Sequence, residues 1–479
     1  MKMFIGGQAV DSSDKTTIEV YNSATQELID SIPSATTNDV NRAIMAAQEG
    51  KKLWAETPMH ARARTLLKCA DVLEEHLEEL AILLSTEMGK IIREARGEVD
   101  CAIQILRSYV EKAKHLYGET MTTDTQPSCD KDIIFTRREP LGVVACIAPF
   151  NYPVELCMHK GAAALSTGNS VIVKPATDNP LTLLRIVELM LQTGVPGNVL
   201  QIVTGPGRLV GGILAESEHI DAISFTGSTE VGQSIAKTAA KTLKHLFLEL
   251  GGNDPFIVFD DADIDLAVKE CASGRIQNAG QTCCAPKRFL IQNSIKDQFV
   301  KELINRLGQI KMGNPLDEGT EMGVLISPRA AIEIKKQVEH TLSQGATCTY
   351  GGRLIGATFY EPTVLLDVTP EMDIFRDMEV FGPVFPIVGF DTEEEVVNIS
   401  NNTPYGLNAG VMTRDMKRAF RVASKMQCGS VVINGSGNYR NIDQPHGGRK
   451  LTGLGREGIC CTLEEMTQQK AFILKSILR

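Results

Sequence analysis

No stretch of this sequence is apolar enough to cross a bilayer. The longest runs, such as LGVVACIAP at 141–149, fall far short of the roughly 20 residues a helical span needs. Basic charge is also in short supply. Lys and Arg number 49 against 59 Asp and Glu, a formal net charge of -10, so no positive field favours nucleic acid or an acidic membrane surface. The Lys-rich stretch at 237–244 is interrupted by Ala, Thr and Leu and reads as a solvated helix face. The opening MKMFIGGQAVDSS lacks an apolar core followed by a small-residue cleavage site, so no secretory signal is expected. The 12 cysteines form no C-x-x-C pair, and the one close Cys–His pair, Cys157 and His159, has no further ligands nearby in sequence. That argues against a metal site. Low-complexity tracts and internal repeats are missing too. The composition left is that of an ordinary globular protein, 43% hydrophobic and 23% charged. Most cysteines sit in apolar surroundings, which fits a reducing, cytoplasmic compartment. At roughly 100–200 residues per domain, the length predicts two to four structural units.

The pattern of apolar residues supplies the organisation. Steps of three and four over about 60–119 predict helix. LGVVACIAP, SVIVKP, NVLQIVTG and DAISFTGS then read as strands, alternating with helices such as PLTLLRIVELMLQTG (180–194) and TEVGQSIAKTAA. This alternation predicts an α/β protein with a parallel, doubly wound sheet. A second α/β series begins near LFLELGG (246–252) and runs to GSVVING. Two extended segments have no helix partner in sequence, DIIFTRREP (132–140) and KAFILKSIL (470–478), and are expected to pair as an arm whose edge can template subunit contacts.

Five short stretches carry candidate chemistry. ISFTGSTEVGQSI places Gly227, Ser228 and Thr229 between a strand and a helix start, where free N–H groups can meet a phosphate, although a plain tight turn has the same look. VIVKPATDNP ends a strand on Lys174, at the crevice of an open sheet or in solvent beside a proline turn. IAPFNYP sets Asn151 after a strand, where its amide can donate to a developing oxyanion or satisfy the turn. LELGGND ends an apolar run on Glu249, whose desolvated carboxyl should rise toward the range of a general base. NAGQTCCAPKR carries the adjacent thiols Cys283 and Cys284, and a thiol reacts only in a surrounding that stabilises its thiolate.

Taken in order, Asn151, Lys174, FTGSTEVG, LELGG, GQTC, EVFGPVFPI (379–387) and GGRKLTGLGREG (447–458) resemble the aldehyde dehydrogenase superfamily nearly end to end. The resemblance implies a Rossmann-like NAD(P)-binding domain of 1–121 and 141–251 and an α/β catalytic domain of 252–460. It further implies a small β oligomerisation arm of 122–140 and 461–479, in a homodimer or homotetramer. It makes Cys283, the fourth residue of GQTC, the nucleophile that forms a thiohemiacetal, with Asn151 and the Cys283 N–H stabilising the oxyanion. Hydride transfer to the nicotinamide then leaves a thioester, and Glu249 activates the water that hydrolyses it. For the cofactor, NAD or NADP, it implies Lys174 at the adenosine ribose and Ser228 at the pyrophosphate. Gly207 and Gly227 flank the adenine and phosphates, and Glu379 and Phe381 lie at the nicotinamide ribose. Three residues after Lys174, NAD-specific relatives often carry Glu; here Thr177 removes that repulsion of a 2′-phosphate, so NADP is expected to be accepted.

TRREPLGVV, APFNYP and NYRNIDQPHGG look most like lactaldehyde and non-phosphorylating glyceraldehyde-3-phosphate dehydrogenases, with succinate-semialdehyde and phosphonoacetaldehyde enzymes nearby. Thr282 stands where the glyceraldehyde-3-phosphate enzymes usually have Arg, which speaks against a phosphorylated substrate. Gln277 and Arg440 make a polar pocket, and the expected substrate is a small hydroxy- or anionic aldehyde. Two rivals are a CoA-acylating dehydrogenase, which commonly lacks the glutamate present here as Glu249, and a non-catalytic structural protein, which need not keep Cys283, Glu249, Asn151 and Lys174 together.

Overall fold

The alternation between residues 141 and 251 becomes one sheet in the computed structural model, which describes residues 1–477. Five parallel strands lie side by side in the order Leu200–Ile202, Ser170–Lys174, Val143–Ile147, Ala222–Thr226 and His245–Glu249. The order turns back on itself between Val143–Ile147 and Ala222–Thr226. In an open α/β sheet, that reversal opens a crevice outside the carboxyl ends of the strands. The three central strands are buried on both faces, which is why they read as unbroken apolar runs. Helices Ile92–Ala113, Pro153–Ser166 and Leu181–Gln192 pack on one face, and Thr37–Glu56, Gly207–Glu216 and Thr229–Ala239 on the other. The helical stretch expected over 60–119 is three helices: Met59–Glu75 breaks at His76, which leaves helical geometry, and Gly89 takes a left-handed φ of 88° that caps Leu77–Met88 before Ile92–Ala113 begins.

The second series starts later than the apolar pattern suggests. His245–Glu249 pairs in parallel with Ala222–Thr226 and completes the first sheet; the second begins at Asp254–Val258, beyond the Gly251–Gly252 break. Its strand order is Thr347–Tyr350, Thr363–Leu366, Val384–Phe390, Pro286–Gln292, Asp254–Val258, Asn408–Met412 and Ser430–Ile433. All pairs are parallel except that of the edge strand Thr347–Tyr350. Gly453–Leu454, which the sequence reading groups with this second unit, instead closes the edge of the first sheet against Leu248 and Glu249. Only glycine permits that approach, since a β-carbon at 453 would lie 1.9 Å from the Leu248 carbonyl oxygen.

The two extended segments pair along eight residues, Ile133–Pro140 against Thr467–Leu474, with Phe135 stacked on Phe472 at 5.1 Å. Thr120–Met121 adds a third strand to this small sheet, so the first unit gives up two residues to it. The outer edge of Thr467–Leu474 has no strand partner among the described residues. Residues 478 and 479, the end of the expected arm, lie outside the described residues.

Candidate active site

Helix Ile264–Ile276 runs into the loop that carries both thiols. Asn278 and Ala279 take left-handed φ values of 50° and 53° there. Gly280 follows where the loop crosses Gly382, and a β-carbon on it would meet that carbonyl carbon at 2.4 Å. Gln281 fixes the turn: its side chain donates to Asn278 O at 2.9 Å and Val324 O at 3.2 Å, and accepts from Ile326 N at 2.9 Å. The Gly-Gln pair before the cysteines therefore has a structural cause. It leaves Cys283 at the junction of two cavities.

The larger cavity, about 430 Å³, lies at the carboxyl ends of the first sheet and brings Asn151, Gly227, Ser228, Glu379 and Phe381 together with Cys283. The smaller, about 100 Å³, is lined by Cys283 and Cys284 with Tyr152, Glu155, Gln277, Asn438, Arg440 and His446. Cys284 touches only the second, where its Sγ donates to Asn438 Oδ1 at 3.7 Å. The neighbouring Cys284 thiol and burial push the Cys283 thiol well above the ordinary cysteine range, and Lys287 pulls it back down.

Asn151 is buried, and its main-chain carbonyl is held by Lys90 Nζ at 2.9 Å and Asn278 Nδ2 at 3.0 Å. Its side-chain amide has no hydrogen-bond partner among the described residues and faces the larger cavity. Glu249 ends its strand half-buried and stands apart from the two Cys283 cavities, in a small recess with Lys160, Arg456 and Glu457. Burial, then the Glu457 carboxylate, holds its carboxyl well above the usual range. Burial works the same way on Glu457, but its pairs with Lys160 (2.9 Å) and Arg440 (2.8 Å) outweigh it and keep that carboxyl ionised. The Arg440 Nη1 is left buried without a partner among the described residues.

A third cavity, about 580 Å³, lies over the next strand ends and includes Lys174, Gly207 and Arg208. Lys174 Nζ donates to Pro175 O at 2.8 Å, and burial lowers its pKa to about 8. Thr177 lines none of these cavities, and its hydroxyl donates to Gly205 O at 3.2 Å. Ser228 caps helix Thr229–Ala239 by accepting from Val231 N at 3.4 Å, so free N–H groups of the first turn open toward the larger cavity. Gly227 keeps that turn close to the strand, since a β-carbon would lie 2.5 Å from the Phe225 ring.

This geometry agrees with what the chain resembles. The sequence pattern of the aldehyde dehydrogenase family matches residues 9–472. The chain belongs to the aldehyde dehydrogenase family. A glutarate-semialdehyde dehydrogenase of Pseudomonas putida is 39% identical over 467 residues, covering 98% of this chain and 96% of that protein. A lactaldehyde dehydrogenase of Methanococcus maripaludis is 36% identical over 479 residues, covering 99% of this chain and all of that protein. The betaine aldehyde dehydrogenase of Staphylococcus aureus, solved with NAD+, superposes with a TM-score of 0.96 at 36% identity, covering 100% of this chain and 95% of that one. The protein is thus an NAD(P)-dependent aldehyde dehydrogenase, an oxidoreductase with the family's fold.

Several neighbours of the site carried no signal in the sequence. Arg208 follows a glycine in a helix start, Lys160 and Glu457 are 297 residues apart, and Lys287 sits inside the strand that follows the thiols. His446, in the wall of the smaller cavity, could have been suspected from NYRNIDQPHGG, which the subgroup comparison already singled out.

Proposed function

We propose that this aldehyde dehydrogenase oxidises a small aldehyde with a hydroxyl or anionic tail to its carboxylate. The observation that carries the reading is the wall of the 100 Å³ cavity beside Cys283, where Arg440 stands with Glu155, Gln277, Asn438 and His446, so that the one phenol ring, Tyr152, is outnumbered by charged and amide side chains. Arg440 is anchored by Glu457 through Nη2, and its Nη1 has no partner among the described residues. Lactaldehyde and the semialdehydes suit such a wall. The glutarate-semialdehyde and lactaldehyde dehydrogenases it resembles act on aldehydes of these two kinds.

In this reading the Cys283 thiolate attacks the aldehyde carbon, a C–S bond forms, and the carbonyl electron pair moves to oxygen. Asn151 is placed to donate to that oxygen because its main chain is clamped and its amide is uncommitted; losing one such donor typically costs about 10²–10³ in rate. The bound NAD(P)+ supplies the hydride acceptor. Fit to that group rests on the cradle: glycines at 227 and 251 keep the strand ends open, Ser228 caps a helix start, and Glu379 accepts from Gly252 N at 2.9 Å. Ser228 would face the pyrophosphate, Glu379 and Phe381 the nicotinamide ribose, and Lys174, Thr177, Gly207 and Arg208 the adenosine end. Glu249 then takes a proton from water for thioester hydrolysis. Its carboxylate must turn out of the Lys160–Glu457 recess to do so.

We further read 1–121 with 141–251 as the cofactor domain, less Thr120–Met121, which join the arm, and 252–460 as the catalytic domain, less Gly453–Leu454, which close the first sheet. The paired strands of 122–140 and 461–479 form a dimer or tetramer arm, its unpaired outer strand supporting that role. Twelve free thiols support a cytoplasmic setting. A panel of lactaldehyde, succinic and glutaric semialdehydes and propionaldehyde, run with NAD and NADP and scored by kcat/KM, tests the reading. A hydroxy- or anionic aldehyde should lead propionaldehyde by about tenfold or more; propionaldehyde in the lead would overturn it.

A further inference from the structure

One buried cation touches three parts of the site at once. Lys287, four residues after Cys283 and 2% exposed, donates its ammonium to the Cys283 main-chain carbonyl. It pairs with Glu379 Oε1 at 3.3 Å and stands 5.3 Å from the centre of the Phe381 ring. A buried ammonium persists only where it is paired and hydrogen-bonded, and these contacts supply both conditions. We propose that Lys287 is a positioning residue of the oxidation, fixing the nucleophile's main chain and orienting the Glu379 carboxylate toward the cofactor ribose through one ammonium group. The proposal rests on the reading of Cys283 as nucleophile and Glu379 as ribose acceptor.

The carboxylate geometry gives the orientation. Gly252 N and Lys287 both engage Glu379 Oε1. Oε2 is left on the side of Gly251, where a β-carbon would lie only 2.4 Å away. Glycine at 251 therefore keeps the free oxygen open toward the cavity that Cys283, Ser228 and Phe381 share. The same set of contacts packs the nucleophile's main chain, because the Cys283 carbonyl lies 3.0 Å from where a β-carbon on Gly252 would stand. The charged or titratable groups that bear on the Cys283 thiol are Cys284, Lys287, Glu379 and, more distantly, Glu249; Asp254 bears on Lys287, and Arg440 on Cys284. Lys287 opposes the carboxylates in this set, so its removal should disfavour the thiolate as well as loosen the ribose acceptor.

The test is Lys287→Met in the full-length enzyme, with Lys287→Arg as the conservative variant and active subunits counted by the NAD(P)H burst. Lys287→Met should weaken NAD(P) binding, measured by titration, by about tenfold or more. It should also move the pH profile of Cys283 alkylation by iodoacetamide about one pH unit higher. Lys287→Arg should recover most of both. A purely structural lysine would lower the melting temperature and the active fraction while leaving both readouts of the active enzyme unmoved, and that result overturns the proposal. Where Lys287→Met does not fold, Lys287→Gln, which keeps a donor for the carbonyl and drops the charge, carries the same expectations. Glu379→Gln separates the two layers. If it leaves cofactor binding unchanged, the ribose assignment fails; if it weakens binding while Lys287→Met does not, the Lys287 proposal alone fails.

Discussion

The two cavities that meet at Cys283 are made of different materials. The one over the first sheet is walled mostly by small and apolar residues, among them Ala176, Gly227, Ser228, Gly251 and two phenylalanines, with Glu379 as its one carboxylate. The one on the other side is walled by the side chains of Tyr152, Glu155, Gln277, Asn438, Arg440 and His446, drawn from three distant stretches of chain. Small residues and a helix start recognise a ligand by shape and by N–H groups, and Gly227 and Gly251 tolerate little substitution because a β-carbon at either intrudes. A wall of long side chains can be retuned one residue at a time. The first should thus set what all substrates share and the second what distinguishes them.

The sharpest way to break this comparison is at the junction. Cys283 borders both cavities and Cys284 only the side-chain one, so Cys283→Ala should abolish NAD(P)H formation and Cys284→Ala should keep most of it. Steady-state assays of both variants decide the matter, and equal losses would remove the distinction between the thiols.

Glu249 comes next, since it belongs to neither cavity. Glu249→Gln should give a burst of about one NAD(P)H per active subunit and then a steady rate lower by about 10²–10⁴. Its pKa is raised, so the ionised base gains population as pH rises, and turnover of the unaltered enzyme should climb with pH through that region. The variant should lose that limb of the steady-state profile. Normal turnover in Glu249→Gln would exclude it from the mechanism.

On the cofactor side, Thr177→Glu should lower the NADP/NAD ratio of kcat/KM by about ten- to several-hundred-fold, through like charges placed at a partly solvated site. Arg208→Gln should shift the ratio the same way, since Arg208 lines the third cavity, but by a smaller factor, because it removes one attractive charge where Thr177→Glu adds a repulsive one. Titrating both cofactors against each variant checks this, and an unmoved ratio would place the 2′-phosphate elsewhere. The smallest effect is expected on the substrate side. Arg440→Met should cut kcat/KM for a semialdehyde by about tenfold while changing propionaldehyde only a few-fold. Equal losses for both would show that Arg440 supports the cavity without selecting its contents.

What could be read in advance divides along the same line. LELGG, GQTC and FTGSTEVG are short strings, and each has a cause visible in the fold, some of it near in sequence and some of it distant. Gly251 leaves room for Glu379 Oε2, Gly280 lets the loop cross Gly382, Gln281 ties the turn to itself, and Ser228 caps the helix it precedes. Buried strands such as Ser170–Lys174 were legible because both of their faces are covered and their apolar runs are unbroken. The sequence alone was less reliable at edges. It began the second series with His245–Glu249 and left Gly453–Leu454 in the second unit, because neither strand's partner is near it in the chain.

By itself, then, the sequence determined the two α/β sheets, the strand–turn–helix that opens toward a phosphate, and the loop that presents a thiol. Those follow from periodicity and from turn and cap residues such as Ser228 and Gln281, whose partners Val231 and Asn278 lie within a few residues. Only the tertiary structure decided that Cys283 borders both cavities, that Glu249 rests against Lys160 and Glu457, and that Lys287 joins the nucleophile to Glu379. Charge pairing acts through space over a few ångströms, and the residues it joins here are separated by as many as 297 positions along the chain.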